Sequence, residues 1–435
     1  MSPGRLEEWP LWPEFTAPEA PPKNHEELLS YKKAITEKYG EAAIQKGWLE
    51  VCKELATATD EIAERGTAII PEISFEDFCN LSTETRTKMQ TVGCFVIRGV
   101  IPTEEANAHF DDLNKLVTDN RDKITGWPEA KPAILRLYWS PTQMAIRSHP
   151  NHMRVQKELN SWWEDDSGST SPEPLVYADA VRIRPPGLPL DGLCPHIDAG
   201  NLCRWADTGY INVYDAIFSG EPQKHKMYDL TRRKDANQAL FHEGTHQSSV
   251  FRAFQGWTAL TRAGAGEGSL LLYPSPKLAI AYLLLRPFFT PPSQPNDIMD
   301  AEKWKFDAEQ SWFPGSSKSG SQLLSDSSHP HLRLKDCLVT IPTMTPGDTI
   351  WWHCDMVHAV ELEHRGAHDS SVAYIAATPT TPANVRYVKQ QLKDFLAGEP
   401  LEDFKAGINE KTLKGYVGES VIADDAGRRA MGFGL

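Results

Sequence analysis

The stretch "CPHIDAGN", which runs from Cys194 to Asn201, follows the strand-like "YADAVRIRPPG" of residues 177–187. It places His196 and Asp198 two positions apart at the end of a predicted β-strand. Residues i and i+2 of a strand point to the same side. The pattern is therefore either a polar loop or two protein ligands of one catalytic iron, and the rest of the chain has to distinguish these alternatives.

A third ligand is suggested much further along, in "TPGDTIWWHCDMVHAVE" (Thr345 to Glu361). This stretch predicts a Pro-Gly turn, a short strand and then His358, ten residues after Asp348. A mononuclear non-haem iron oxygenase uses two imidazoles and one carboxylate on one face of the ion, which leaves the opposite face open. The sequence thus predicts His196, Asp198 and His358 as metal ligands and catalytic residues.

Other metal assignments remain open at this point. His353 and Asp355 form a second His-x-Asp, "HCD", which could be the proximal pair, but only about 80 residues would then remain to complete the β core. His353 could instead donate to a ligand, face the substrate or pack beside Trp352. A site of three histidines and the absence of any metal are the remaining alternatives, although Asp198 already fills the carboxylate position.

Short apolar runs between Gly and Pro begin at Tyr177, among them "GWTALTR", "GSLLLYP" and "SSVAYIAA". Several short strands with turn signals predict a β-sandwich or barrel. The expected fold class is α+β, with a β core at about 175–380, helices before it at 26–170 and a helical tail after it. We expect residues 26–435 to be a single domain, preceded by an extended Pro-rich arm at 1–25.

Two long polar stretches, 219–249 and 290–335, interrupt the β-rich region. Loops of that length in a compact domain are usually functional or inserted. Their histidines, His225, His242, His246, His329 and His331, are expected at the surface or in a lid.

The composition argues for a small-molecule enzyme. The formal net charge is -14 and no Lys/Arg cluster occurs, so nucleic acid and anionic membranes are poor partners. No apolar run approaches the ~20 residues of a membrane span, and the N-terminus has no apolar signal core. Seven cysteines without a CxxC pair suggest reduced thiols. We expect a cytoplasmic protein, and the oligomeric state stays open.

Several motifs together resemble one known family, the DUF1479 (YbiU-like) family of the Fe(II)/2-oxoglutarate-dependent oxygenase superfamily. The match covers residues 65 to 400 approximately. The resemblance implies a double-stranded β-helix, which is a jelly-roll or cupin-like core, with His196 and Asp198 as proximal ligands and His358 as the distal ligand. The motifs are "YWSPTQMAIRSHPN", "RIRPPG", "PHIDAGNLCRW", "GYINVYDAIFSG", "FQGWTAL", "LLLRPFF" and "PGDTIWWHCDMVHAVE".

The resemblance also implies 2-oxoglutarate as cosubstrate, whose far carboxylate usually pairs with an Arg or Lys shortly after the distal histidine. Here that window, "HDSSVAY" (His368 to Tyr374), has neither. The expected substitutes are Arg252 first, then Arg184, with Ser371 as a hydroxyl partner. Strand alternation places Arg182 and Arg184 on one face, but the sequence does not tell which face is internal. Further candidates are Arg182, Arg204, Arg365 and Tyr374.

The expected function is oxidation of a C–H bond of a small, amino-acid-like metabolite by Fe(II), 2-oxoglutarate and O2. The products would be succinate, CO2 and a hydroxylated, desaturated or ring-closed compound. Two alternatives remain: an iron-dependent dioxygenase that does not use 2-oxoglutarate, and a non-catalytic protein that binds metal or 2-oxoglutarate. The missing downstream Arg favours these two, whereas the complete ligand triad favours the oxygenase.

Overall fold

The computed structural model describes residues 4–18, 20, 22–241, 248–422 and 424–435. Most of its helices lie before and after the central strands. In the described residues the α-helices are α1 His25–Tyr39, α2 Glu41–Arg65, α3 Phe75–Phe78, α4 Thr83–Val92, α5 Thr103–Asp119, α6 Pro141–Ser148, α7 Pro150–Asn160, α8 Cys203–Ala206, α9 Thr208–Val213, α10 Asp215–Phe218, α11 Leu230–Arg233, α12 Pro276–Leu285, α13 Leu334–Cys337, α14 Pro382–Ala397 and α15 Asp425–Ala430.

The strands are short, and most lie between residues 181 and 377. In the same described ranges they are β1 Glu72–Ser74, β2 Cys94–Arg98, β3 Gly126–Trp127, β4 Ile134–Leu135, β5 Ser171–Pro174, β6 Val181–Arg184, β7 His196–Ile197, β8 Phe254–Ala259, β9 Leu270–Leu272, β10 Phe289–Thr290, β11 Lys305–Phe306, β12 Gln322–Leu323, β13 Val339–Thr340, β14 Thr349–His353, β15 His358–Val360, β16 Ser370–Ala377 and β17 Pro379–Thr380.

Two β-sheets form the centre of this mixed α/β structure. The larger sheet has the strand order β1-β2-β14-β8-β16-β6-β4-β3, and the smaller has the order β12-β7-β15-β9-β13. The chain crosses repeatedly between them, because β6, β8, β14 and β16 belong to the larger sheet, whereas β7, β9, β13 and β15 belong to the smaller. The larger sheet is mixed, since β1 and β2 run parallel while its other neighbouring strands run antiparallel.

The register of the larger sheet shows which side chains face the smaller sheet. Trp257 pairs with both Ile350 and Tyr374, so these three side chains share a face. They belong to one apolar cluster with Leu272 and Val360 of the smaller sheet, which lie on the same face of that sheet as His358. This inner face positions the candidate site.

The outer face of the larger sheet is covered by the helices that precede it in the chain. Phe95 and Trp351 pair across β2 and β14 and therefore share this opposite face. They belong to a second apolar cluster with Ile146 of α6 and Leu159 of α7. The helical segment before residue 170 thus buries the side of the sheet that does not face the smaller sheet.

Helix α2 forms because its apolar residues recur at helical spacing along one face. Ile44, Val51, Leu55 and Ile62 are all buried. Trp48 on the same face stacks on Phe289 with 4.4 Å between ring centroids. The helix therefore packs along the β core as one of its covering layers.

The expectation of surface histidines in 290–335 is wrong for His329 and His331, which are buried. The ring of His331 lies 5.4 Å from the rings of both Trp48 and Trp304. Aromatic residues from distant segments enclose it, which a polar local sequence does not reveal. His225 in the stretch 219–249 is buried as well, and residues 242–247 of that stretch lie outside the described residues. Among the described helices, none is long and apolar enough to cross a membrane.

Candidate metal centre

The smaller sheet brings the two predicted histidines together. Strands β7 and β15 pair antiparallel with His196 opposite His358, and the ring centroids lie 4.1 Å apart. Asp198 follows directly after β7, and its carboxylate oxygens lie 3.6 Å from His196 Nε2 and 3.7 Å from His358 Nε2. One ligand atom from each residue can be chosen so that all lie within 4.8 Å of one another. Residues far apart in sequence therefore form one three-ligand cluster.

Backbone carbonyls orient both imidazole rings. His196 Nδ1 donates to the carbonyl of Cys194 at 2.6 Å, and His358 Nδ1 donates to that of Met356 at 3.0 Å. With Nδ1 bonded to a carbonyl, the Nε2 atom of each ring is left to face Asp198. Burial, helped by the charge of His196, lowers the pKa of His358 to about 4, so its ring is neutral at ordinary pH.

The carboxylate of Asp198 is held by two uncharged donors. Gln255 Nε2 donates to Oδ2 at 2.7 Å, and Ser321 Oγ donates to Oδ1 at 2.9 Å. Burial opposes its ionisation, but the interactions with His196, His358 and Arg252 and the hydrogen bond from Gln255 outweigh burial and hold the pKa of this carboxyl below its ordinary value. The Asp198 side chain is 27% exposed, whereas the two histidines are 7% and 6% exposed. The cluster is thus ionised and open on the side of its carboxylate.

The turn after Asp198 has an unusual backbone. Ala199 and Asn201 have φ values of 59° and 37°, and Gly200 between them has 74°. Left-handed conformations at non-glycine residues are strained and cluster at functional sites. The Asn201 side chain bonds to the segment 317–321, accepting from Ser317 N at 3.0 Å, and this segment carries Ser321. The strained turn therefore fixes Asp198 relative to the segment whose Ser321 contacts its carboxylate.

The side chains of the second His-x-Asp, His353 and Asp355, already bond to other residues of the protein. The Asp355 carboxylate accepts from both Nη atoms of Arg233, at 3.0 and 3.1 Å, and from the Tyr214 hydroxyl at 3.2 Å. His353 Nδ1 accepts from Asp355 N, Nε2 contacts the Met227 carbonyl, and the ring stacks on Trp163. Both residues are thus occupied inside the protein, although His353, Cys354 and Asp355 lie close enough together to resemble a ligand cluster.

The sheet register separates the basic residues proposed as anchors. Arg182 pairs with Val372, and Ser370 pairs with Arg184, so all four lie on the inner face. Arg184 is already occupied, because its guanidinium donates to the carbonyls of Leu188, Glu361 and Leu362. Ser371 lies on the outer face and donates its hydroxyl to the Arg182 carbonyl. Neither predicted residue therefore presents a free polar group to the cluster.

Arg182 is the inner cation with unused hydrogen-bonding capacity. Its side chain is buried, its Nη2 lies 3.3 Å from Ser370 Oγ, and its Nε has no partner in the described part of the chain. Tyr374 lies on the same face: burial raises the pKa of its hydroxyl, the charges of Arg182, Asp179 and Asp198 act on it, and it hydrogen-bonds with Arg182. Arg182 therefore lies in the interior on the same side as the ligands.

The other predicted cations have different positions. Arg252 lies just before β8, and its charge acts on both Asp198 and His358. Arg204 is buried beside Asp355, with 3.8 Å between Nη2 and Oδ1. Arg365 is exposed and pairs with Glu7 and Glu363. Of these three, Arg252 is the one whose charge acts on the ligand cluster.

Comparison with known proteins assigns the family. The model of the Gig2-like family matches residues 24–433. The chain belongs to the Gig2-like family. This result confirms the resemblance to DUF1479, which is the family designation given with the Candida albicans GlcNAc Inducible Gene 2 (GIG2) structure. That structure has a TM-score of 0.84 with 28% identity, covering 95% of this chain and 90% of the other.

Two bacterial relatives extend the comparison of this Gig2-like protein. YbiU of Escherichia coli (strain K12) is 29% identical over 96% of this chain and 98% of its own. A protein from Salmonella typhimurium LT2, with the provisional name of oxidoreductase, has a TM-score of 0.80 and 27% identity, covering 96% and 98% of the two chains. The shared architecture therefore extends over nearly the whole of each chain.

The sequence does not indicate that Gln255 and Ser321 of this Gig2-like protein contact Asp198. Gln255 lies in "FQGWTAL", a stretch that predicts only a strand, and Ser321 lies in a Ser-rich polar stretch. Their contact depends on how the two sheets face each other. Sequence spacing alone does not contain that information.

Proposed function

We propose that this chain is an Fe(II)- and 2-oxoglutarate-dependent oxygenase, with Fe(II) held by His196, Asp198 and His358. The observation that carries the proposal is the cluster of two Nε2 atoms and one carboxylate, formed by paired strands and open on one side. This donor set is typical of non-haem Fe(II) oxygenases, in which three protein ligands occupy one face. The carbonyl contacts of both Nδ1 atoms support metal binding, because they fix the tautomer that metal-binding histidines need.

We further propose that β6 to β9 and β13 to β16 form a double-stranded β-helix. Support comes from the way the chain alternates between the two facing sheets, which gives β14-β8-β16-β6 in one and β7-β15-β9-β13 in the other. The two histidines then lie on adjacent strands of the smaller sheet. This arrangement would leave the interior between the sheets for the cosubstrate.

With O2 and 2-oxoglutarate, the bound iron would supply oxidation of an unactivated C–H bond of a small molecule, with release of succinate and CO2. The chain's own residues orient and enclose the reactants. Gln255 and Ser321 hold the Asp198 carboxylate in place, and the strained turn at Ala199 to Asn201 fixes the segment that carries Ser321. Whether the product is hydroxylated, desaturated or ring-closed depends on how these residues hold the substrate.

Arg182 is the proposed partner of the far carboxylate of 2-oxoglutarate. A buried carboxylate without a counter-charge costs several kcal/mol, so a cation is needed inside. Arg182 has a free Nε and lies on the inner face, with the Ser370 hydroxyl beside it. The basic residue would thus come from β6, the neighbour of β16, instead of from the segment after the distal histidine.

Anaerobic titration of the Fe(II) protein with 2-oxoglutarate tests the function. The expected result is a visible absorption band on addition of 2-oxoglutarate, followed by succinate release in air. A band without succinate would favour a binding protein. No band, together with O2 consumption dependent on another substrate, would favour a dioxygenase that does not use 2-oxoglutarate.

Substitution of Arg182 tests the anchor. Arg182→Gln should raise the apparent KM for 2-oxoglutarate about ten- to a thousandfold, the range expected for a lost charge-assisted pair, with little change in iron affinity. Arg182→Lys should recover part of the loss, because the charge remains. An unchanged KM in Arg182→Gln would contradict this assignment, and a larger effect in Arg252→Gln would move the anchor to that residue.

A further inference from the structure

Two charged side chains beside the ligand cluster, Arg252 and Asp179, take no part in holding it. Arg252 lies close enough to act on the charges of Asp198 and His358, and Asp179 acts on Asp198. Both are partly exposed, Arg252 at 16% and Asp179 at 24%, as is Asp198 at 27%. A positive and a negative group, both partly exposed, therefore lie near the candidate metal centre, and Arg252 is three residues before Gln255, which bonds to Asp198 at 2.7 Å.

The guanidinium of Arg252 lies against an aromatic ring and keeps its hydrogen-bonding capacity. It lies over the ring of Tyr177, with 5.2 Å from Cζ to the ring centroid. Its Nη1 is 4.0 Å from Asp179 Oδ2, which is too long for a hydrogen bond, and none of its N–H groups bonds to another described residue. A stacked guanidinium with free edges is well suited to bind a carboxylate in bidentate fashion.

The carboxylate of Asp179 also keeps free acceptor positions. Oδ1 accepts from Ala180 N at 2.7 Å, and Oδ2 faces Arg252 at 4.0 Å. Its main chain is fixed, because the Asp179 carbonyl accepts from Gln143 at 2.9 Å and from Arg147. The side chain is therefore a positioned acceptor next to Arg252.

The long distance between Arg252 and Asp179 distinguishes them from a structural ion pair. Arg233 and Asp355 in the same protein meet at 3.0 and 3.1 Å through two hydrogen bonds and satisfy each other. Arg252 and Asp179, at 4.0 Å, do not. A ligand that carries both charges could pair with both side chains at once. Its anionic group would bind Arg252 and its cationic group would bind Asp179.

We propose that Arg252 and Asp179 form the subsite for a zwitterionic group, with a substrate carboxylate on Arg252 and a substrate ammonium on Asp179. The substrate class is then a small molecule with an amino-acid head group, whose remaining part lies toward the metal centre. The ligand's role as substrate rests on the proposed oxygenase function, whereas the binding site itself does not.

Three matched probes test the subsite on metal-free protein, so that the result does not depend on iron. L-norleucine carries both charges, hexanoate carries the carboxylate alone and pentylamine carries the ammonium alone, on apolar chains of similar length. Isothermal titration should show L-norleucine binding at least about tenfold more tightly than either single-charge probe, as expected when two charge-assisted contacts replace one.

Two charge-removing variants provide the decisive pattern. Arg252→Gln should weaken L-norleucine and hexanoate about tenfold or more and leave pentylamine unchanged. Asp179→Asn should weaken L-norleucine and pentylamine and leave hexanoate unchanged. Equal weakening of all three probes by either variant would indicate a structural role and overturn the proposal, as would an absence of measurable L-norleucine binding to the wild-type protein.

The cosubstrate provides a separate control. The affinity of the Fe(II) protein for 2-oxoglutarate should fall in Arg182→Gln and stay nearly constant in Arg252→Gln. A loss in Arg252→Gln as large as that in Arg182→Gln would overturn the subsite, because Arg252 would then hold 2-oxoglutarate. Failure of the wild-type protein to bind Fe(II) would contradict the proposed function and leave the probe pattern as an independent result.

Discussion

The two His-x-Asp motifs, His196 to Asp198 and His353 to Asp355, have the same spacing but opposite surroundings. Asp198 is 27% exposed and accepts from an amide and a hydroxyl, so no cation is fixed to it. Asp355 is 3% exposed and both of its oxygens accept from Arg233. The negative charge of Asp198 therefore remains available to a metal ion, whereas the charge of Asp355 is neutralised by Arg233.

This comparison shows that the counter-charge, more than the motif, decides what a His-x-Asp can do. A metal has to compete with whatever already neutralises the carboxylate. Neutral donors such as Gln255 orient Asp198 without competing for its charge. A guanidinium competes directly, and displacing it would leave a buried cation unpaired.

Removal of the distal ligand gives the largest expected effect. His358→Ala should lose Fe(II) at concentrations that saturate the wild-type protein and should abolish turnover, because one of three protein ligands disappears. His353→Ala is the matched control and should retain iron, since its ring bonds to the backbone at Asp355 and Met227. Metal content after dialysis measures both. Equal iron loss in His358→Ala and His353→Ala would contradict the claim that only His358 binds the metal.

Removal of each aspartate should affect different properties. Asp355→Ala leaves Arg233 and Arg204 buried without their anion and should reduce the free energy of unfolding by about 3–5 kcal/mol. Asp198→Ala loses two neutral hydrogen bonds and should cost about 1–2 kcal/mol, yet it should abolish metal binding. Denaturant unfolding of both metal-free variants checks this. A greater stability loss in Asp198→Ala would contradict the account.

The neutral donors to Asp198 should have an intermediate effect. Gln255→Leu removes the 2.7 Å contact with Oδ2 and should weaken Fe(II) binding about 10- to 100-fold, as is usual for partners of metal ligands. Ser321→Ala should act in the same direction. Competition with a chelator measures the affinity, and thermal unfolding controls for folding. Unchanged affinity in both variants would show that the carboxylate needs no positioning.

The smallest effect concerns acid stability. Burial lowers the pKa of His353 to about 4, from about 6.5 in an unfolded chain. The unfolded chain therefore binds more protons below pH 6.5, so this stability is complete above that value and is lost as the pH falls toward 4. In metal-free His353→Gln, the loss in unfolding free energy between pH 7 and pH 5.5 should be about 1 kcal/mol smaller than in the wild type. An unchanged pH profile would contradict the buried neutral ring.

The three clustered residues could be predicted because their signals are local. His196 and Asp198 lie two apart at a strand end, and His358 follows a Pro-Gly turn and a strand. The strand alternation also placed Arg182 and Arg184 correctly on a common face. Which face is internal could not be predicted, because it depends on the pairing of β6 with β16 more than 180 residues later.

The contacts that the sequence did not predict also join residues far apart in the chain. Arg233 meets Asp355 across 122 positions of sequence, and Ser321 meets Asp198 across 123. The sequence predicts Ser371 as the hydroxyl partner, but of the two serines Ser370 lies on the inner face. A shift of one residue reverses the side of a strand, so the prediction depends on the exact register. Local sequence thus predicts which three residues cluster, whereas the folded sheets determine what surrounds them.

Anomalous diffraction at the iron edge, from crystals grown anaerobically with Fe(II), tests the central claim most directly. The account predicts one strong peak within coordinating distance of His196 Nε2, His358 Nε2 and the Asp198 carboxylate, with Arg233 still bonded to Asp355. A peak between His353 and Asp355, or no peak at His196 and His358 under saturating Fe(II), would contradict it.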